Sequence, residues 1–130
     1  MDLVFHNPGS VFPPPGRYTH AVEVPAGQRM IFLSGQVPVA LDGKVPETLA
    51  GQADQVYANI TTILASLGAL PSSIIKVTTF LTEGDDGTDC VHQARAKYLG
   101  EHRPASTAVF VSRLVDPSWK IEIDAVALLP

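Results

Sequence analysis

The chain has 130 residues, 45% of them apolar and 17% charged, which is the size and composition of one folded domain and excludes a disordered or fibrous protein. Nine Lys+Arg against 13 Asp+Glu give a formal net charge of −4, and cations so few and so spread make no basic face for a nucleic-acid partner. No apolar run approaches the ~18 residues needed to span a bilayer, so no membrane partner is expected.

Leu3 to Phe5 reads as a short edge strand ended by Asn7-Pro8-Gly9. Pro8, Pro13, Pro14 and Pro15 make the segment to Gly16 extended or looped, because proline donates no ladder hydrogen bond. A rigid surface strap is the expectation there. Tyr18 to Val24 and Met30 to Ser34 are strands joined through Pro25-Ala26-Gly27, expected to pair as a hairpin. Gly35, between Ser34 and Gln36, marks a bulge or a close backbone approach. Asp42-Gly43 is a turn.

From Glu47 to Leu67 the period is helical: Leu49, Ala53, Val56, Ile60, Ile63, Leu64 and Leu67 recur at threes and fours. Gly68 supplies a C-cap and Pro71 prevents resumption. Ile74 to Leu81, rich in β-branched residues, is a long strand expected at the centre of the sheet. Thr82 to Gly87 is an acidic loop; Asp85, Asp86 and Asp89 lack the twelve-residue spacing and terminal Glu of a calcium loop. Thr88 or Asp89 N-caps a second helix running to Leu99, with Val91, Ala94 and Tyr98 inward and Gly100 as its stop.

Beyond Pro104, Ser106 to Val111 is a strand, Asp116-Pro117-Ser118 a turn, and Lys120 to Leu128 the last strand. In that strand Ile121, Ile123 and Ala125 share one face and Glu122, Asp124 and Val126 the other. Two acidic residues about 7 Å apart on one strand face point to solvent, a subunit boundary or a site. The order is β-β-β-α-β-α-β-β over a single domain, residues 1–130. It implies an α+β fold, a mixed six-stranded sheet with two helices on one face. The bare face then needs a cover, and self-association is the simplest one.

Chemistry-bearing motifs are scarce. Phosphate-cradling loops, zinc-ligand spacings and G-x-S-x-G are absent, so no metal or cofactor is expected. The four histidines, His6, His20, His92 and His102, are scattered. Cys90, the single cysteine, permits no internal disulfide and fits a reducing compartment. The N-terminus lacks the basic-then-apolar order of a signal peptide, so a soluble cytoplasmic protein is expected. Tyr57, Tyr98 and Trp119 read as packing residues.

Several short motifs in the right order carry a resemblance. Gly16-Arg17-Tyr18 resembles a Gly-Pro-Tyr, Ser34-Gly35-Gln36-Val37-Pro38 an SGQxP strand end, and Pro104-Ala105 onward with Ile121-Glu122-Ile123-Asp124-Ala125 a C-terminal signature. All three belong to the Rid family, the YjgF-type reactive-intermediate deaminases. The resemblance spans nearly the whole chain. It implies a chorismate-mutase-like fold of the bacillus type, assembled as a homotrimer with clefts between subunits. It also implies hydrolysis of a small-molecule enamine or imine to a carbonyl compound and ammonia without a cofactor.

By the same resemblance Glu122 orients the attacking water, the Ala108 amide holds a substrate carboxylate, and Tyr18, Ser34, Gly35 and His92 line the cleft. One position departs from the family: Ser106 stands where members carry an arginine that grips the carboxylate in bidentate fashion. The expected substrate is therefore unlike a simple 2-imino acid, with Arg17, or else Arg103 or Arg113, as a substitute cation. A non-catalytic metabolite-binding or chaperone-like trimer is the alternative. An RNA-cleaving reading is disfavoured by the acidic balance.

Overall fold

The computed structural model describes residues 2–84 and 86–130. Asp85, one of the three loop acids considered for calcium, lies outside them. Six strands and two α-helices follow in the expected order: β1 (Val4–His6), β2 (Ala21–Glu23), β3 (Met30–Gln36), α1 (Leu49–Ser66), β4 (Ile74–Thr82), α2 (Asp89–Leu99), β5 (Ala105–Val111) and β6 (Ile121–Leu128). A 3₁₀ turn, Pro71–Ser73, leads into β4.

The main sheet runs β3-β6-β4-β5. Its β4–β5 pair is parallel, because α2 carries the chain across between them, and its other pairs are antiparallel. β4 is flanked on both sides, as its continuous β-branched run requires. β1 and β2 form an antiparallel pair, bridged to the sheet where Thr19 meets Ala105 in parallel. Counting that bridge, the strands read β1-β2-β5-β4-β6-β3.

This arrangement corrects the expected hairpin: β2 pairs with β1 and does not pair with β3. The reason is long-range. The strap before β2 is held by the α2–β5 connection, with the Thr19 amide donating to the Pro104 carbonyl at 3.2 Å and the Arg103 guanidinium to the Gly16 carbonyl at 3.4 Å. A Pro-Ala-Gly turn is compatible with a hairpin, but it fixes no strand partner.

Both helices lie on one face. Thr48 caps α1, its hydroxyl accepting from the Gly51 amide at 3.1 Å, and Gly68 beyond its end takes φ +76°. Val56, Ile60 and Leu64 of α1 pack on Val77, Ile121, Ile123 and Ala125 of the sheet, all essentially buried. At about 1.5–3 kcal/mol per large buried side chain this layer is the main source of stability. Gln52 is buried within it and fully bonded: its Nε2 donates to the carbonyls of Pro46 (2.9 Å) and Ser118 (3.0 Å), and its Oε1 accepts from the Lys120 amide at 2.7 Å. That amide fixes the turn feeding β6. Among the described residues no helix covers the opposite sheet face. Phe32 there is 71% exposed and Val109 41%, an apolar surface that a single chain leaves bare.

Candidate functional site

Strand alternation decides which side chains can meet. On β5, Ser106, Ala108 and Phe110 pair with Val77, Thr79 and Leu81, which belong to the helix-facing side of β4. Ser106 and Ala108 therefore point toward α2. Between α2 and this part of β5 lies a cavity of about 200 Å³, whose lining includes Tyr57, Thr79, His92, Arg95, Ser106 and Ala108. His92 stands at its exposed rim.

The cation at Ser106 is Arg95. Its Nη2 donates to Ser106 Oγ at 2.8 Å, its Nη1 to the Arg17 carbonyl at 3.3 Å and its Nε to the Tyr57 hydroxyl at 3.3 Å. All three acceptors are neutral. No carboxylate among the described residues pairs with this half-buried guanidinium.

The three arginines expected as substitutes go elsewhere. Arg17 donates to the Gly100 carbonyl at 3.5 Å, at the end of α2 where exposed carbonyls attract a cation. Arg103 binds the Gly16 carbonyl, and Arg113 binds the carbonyls of Leu114 and Val115 at 3.1 and 3.0 Å within its own loop. Tyr18 is half-buried on the strap, edge-on to His20 with ring centroids 6.1 Å apart, and is not among the cavity-lining residues.

Glu122, Ser34 and Gly35 form a second group. Glu122 pairs with Phe80 of β4 on the helix-free face, whereas Ser106 shares a cross-strand row with Val77 and Ala125 on the helix side. The β3–β6 register slips between Leu33 and Gln36, so the backbone bulges at Ser34-Gly35 as the glycine suggests. Glu122 fills the space above that bulge: a Cβ at Gly35 would lie 2.8 Å from Glu122 Cδ and 3.1 Å from its Cγ. Gly35 is needed here for close approach, since its φ is not in the left-handed region.

The candidate residues of one chain thus fall into two groups on opposite faces of its sheet. His92, Arg95, Ser106 and Ala108 form one; Ser34, Gly35 and Glu122 form the other. Ser106 and Glu122 do not share a hollow within a single chain. Among the described residues no group of three or more His, Cys, Asp or Glu gathers to hold a metal.

Sequence reasoning missed Arg95 and took Tyr57 for a packing residue only. The signal was weak but present. Arg95 follows Val91 by four positions and Ala94 by one, so it sits at the margin of the inward stripe of α2.

The endoribonuclease L-PSP family model matches residues 10–129. Protein DfrA of Myxococcus xanthus is 39% identical over 115 residues, covering 87% of this chain and 86% of that protein. A crystal structure of the Rid-family protein YyfB of Yersinia pestis superposes with a TM-score of 0.88 at 30% identity, covering 99% of this chain and 100% of that one. Escherichia coli TdcF, crystallised with bound serine and provisionally named a reactive intermediate deaminase, gives a TM-score of 0.71 at 30% identity over 90% of this chain and 91% of its own.

Proposed function

The chain belongs to the endoribonuclease L-PSP family, which includes the Rid proteins, and from that premise we propose that it hydrolyses a reactive enamine or imine metabolite at clefts between copies of itself. The observation that carries the proposal is the Glu122 carboxylate lying against the Gly35 backbone on the helix-free face. An acid packed on a bare peptide edge can orient a water on one side while leaving room for a planar substrate on the other.

In this reaction the water oxygen attacks the imine carbon and the C=N π pair moves onto nitrogen. Glu122 accepts a proton from the water and returns it to nitrogen. The hydroxyl proton of the resulting amino alcohol then passes to the nitrogen as the C–N bond breaks, so ammonia leaves, a carbonyl remains, and atoms and charge balance without a cofactor. An enamine enters the same path after its carbon is protonated.

The site is incomplete in one chain, because Glu122 and the Ser106 cavity face opposite ways. A closed ring of copies, most simply a homotrimer, brings Glu122 of one chain to the cavity of the next. The bare apolar face with Phe32 and Val109 is suited to such burial. Ser106 in place of the arginine that the Rid resemblance leads one to expect makes the substrate differ from a simple 2-imino acid.

The test is ammonia release from 2-iminopropanoate, from bulkier 2-imino acids and from imines without the α-carboxylate, with wild type and Glu122→Gln compared. The proposal expects turnover of at least one class, lost ~10²-fold or more in the variant with assembly unchanged. No turnover of any class would leave the clefts as binding sites only and overturn the hydrolase reading.

A further inference from the structure

We propose that Arg95, delivered from α2 and seated on Ser106, is the carboxylate-binding cation of the cleft, and that its ligand is a monocarboxylate with an apolar body larger than a three-carbon imino acid. The inference rests on the hydrolase reading for the identity of the reaction, but its binding chemistry stands on separate observations.

The first is charge. Arg95 is half-buried and has only neutral partners among the described residues, although a cation withdrawn from water is normally paired. Three of the five N–H groups of a guanidinium are engaged, by Tyr57, Arg17 and Ser106. The two remaining lie one on each terminal nitrogen, so each terminal nitrogen can still donate to a carboxylate oxygen. Ser106 accepts from Arg95, so its own hydroxyl proton is available as a third donor.

The second observation is depth. An arginine rooted at position 106 would carry its charge outward by its own three-carbon stem. Arg95 instead arrives from the helix side and places its Nη2 2.8 Å from the Ser106 hydroxyl. Ser106 has no such stem, and it lines a cavity of about 200 Å³ together with Arg95. Leu81, Val91 and Phe110 line that cavity. The bound carboxylate accordingly sits deeper, with hydrocarbon against these three side chains and the reacting carbon toward the mouth.

Stable 2-oxo acids, the products expected of imine hydrolysis, serve as probes. The assembled protein is titrated calorimetrically with 2-oxopropanoate, with 4-methyl-2-oxopentanoate and with the amide of the latter. Wild type is expected to bind the larger acid more tightly than the smaller and to bind the amide at least tenfold more weakly. Arg95→Gln is expected to lose at least tenfold in affinity for the acids, and Arg95→Lys, which keeps the charge without the fork, to fall between. The double variant Arg95→Gln, Ser106→Arg is expected to recover acid binding with the preference turned toward 2-oxopropanoate. Thermal melting and sedimentation run in parallel, and Arg95→Lys carries the comparison where the glutamine variant does not fold.

Equal affinity of Arg95→Gln or Arg95→Lys and wild type for the acids, equal binding of acid and amide, or no binding of either acid by wild type would each overturn the proposal. The two readings fail separately. Loss of acid binding in Arg95→Gln with no imine hydrolysed by wild type removes the hydrolase reading alone. Normal hydrolysis with acid binding unchanged in Arg95→Gln removes this one alone.

Discussion

Gly35→Ala isolates what the contact between Glu122 and the β3 bulge does. The backbone at Gly35 is open to any L-residue, so the substitution brings no left-handed strain. What it brings is a methyl group 2.8 Å from Glu122 Cδ and 3.1 Å from Cγ, closer than carbon atoms pack. The cheapest relief is rotation of the Glu122 side chain, the flexible end of which makes the contact. A displaced rotamer costs about 0.5–1.5 kcal/mol, so the fold should survive with a small loss of stability. A rotation that misplaces the carboxylate by about 1 Å costs roughly 10²-fold in rate. Paired assays of kcat/KM for ammonia release and of urea unfolding read the two effects apart. In the Glu122→Ala background the alanine at position 35 should cost almost nothing in stability, because the clash has been removed. Near-normal activity of Gly35→Ala, or an undiminished stability cost in the double variant, would refute the reasoning.

Three further predictions concern the frame of the site. Gln52→Leu leaves the carbonyls of Pro46 and Ser118 and the Lys120 amide without their buried partner; at about 1–3 kcal/mol for each unsatisfied buried group, urea unfolding should report a loss of roughly 3 kcal/mol or more. The Lys97 ammonium, hydrogen-bonded to Asp54 at 2.6 Å, holds that carboxyl below its ordinary value of 3.8 against an opposing push from burial. The unfolded chain therefore binds this proton more readily than the folded one, so the contribution is full above about pH 4 and is lost as the pH falls through the folded-state value. Asp54→Asn should flatten that part of the acid limb in a pH series of melting temperatures. Phe32→Asp puts a charge on the bare sheet face, where Phe32 is 71% exposed in the single chain; sedimentation should show dissociated chains with unchanged secondary structure by circular dichroism.

Much of this architecture is legible in the sequence because the signals are local. The stripe from Leu49 to Leu64, Gly68 after it and Pro71 beyond leave little choice about α1, which runs Leu49–Ser66. Alternation in β6 likewise separates Ile121 and Ile123 from Glu122 and Asp124 in sequence as in space. The pairing of β2 with β1 in place of β3 is not legible, because the strap ahead of β2 is pinned where Thr19 meets Ala105, across more than eighty positions and through contacts that no nearby residue encodes. Arg95 escaped for another reason. A charge on a helix is ordinarily solvated, and only the position of Ser106 beneath α2 makes this one an exception. Arg17 illustrates the converse: it lies beside Tyr18 in sequence, yet the carbonyl at the end of α2 draws it away from the cavity.

Subunit mixing tests most directly whether two copies build each site. Glu122→Gln chains and Ala108→Trp chains, the latter with the cavity filled, are each expected to be inactive alone. Denatured together in equal amounts and refolded, they form mixed rings in which about one quarter of the clefts combine an intact cavity from one chain with an intact Glu122 from its neighbour. The account predicts recovery of about a quarter of wild-type activity on this counting. Activity no higher than that of the two variants refolded separately would contradict it.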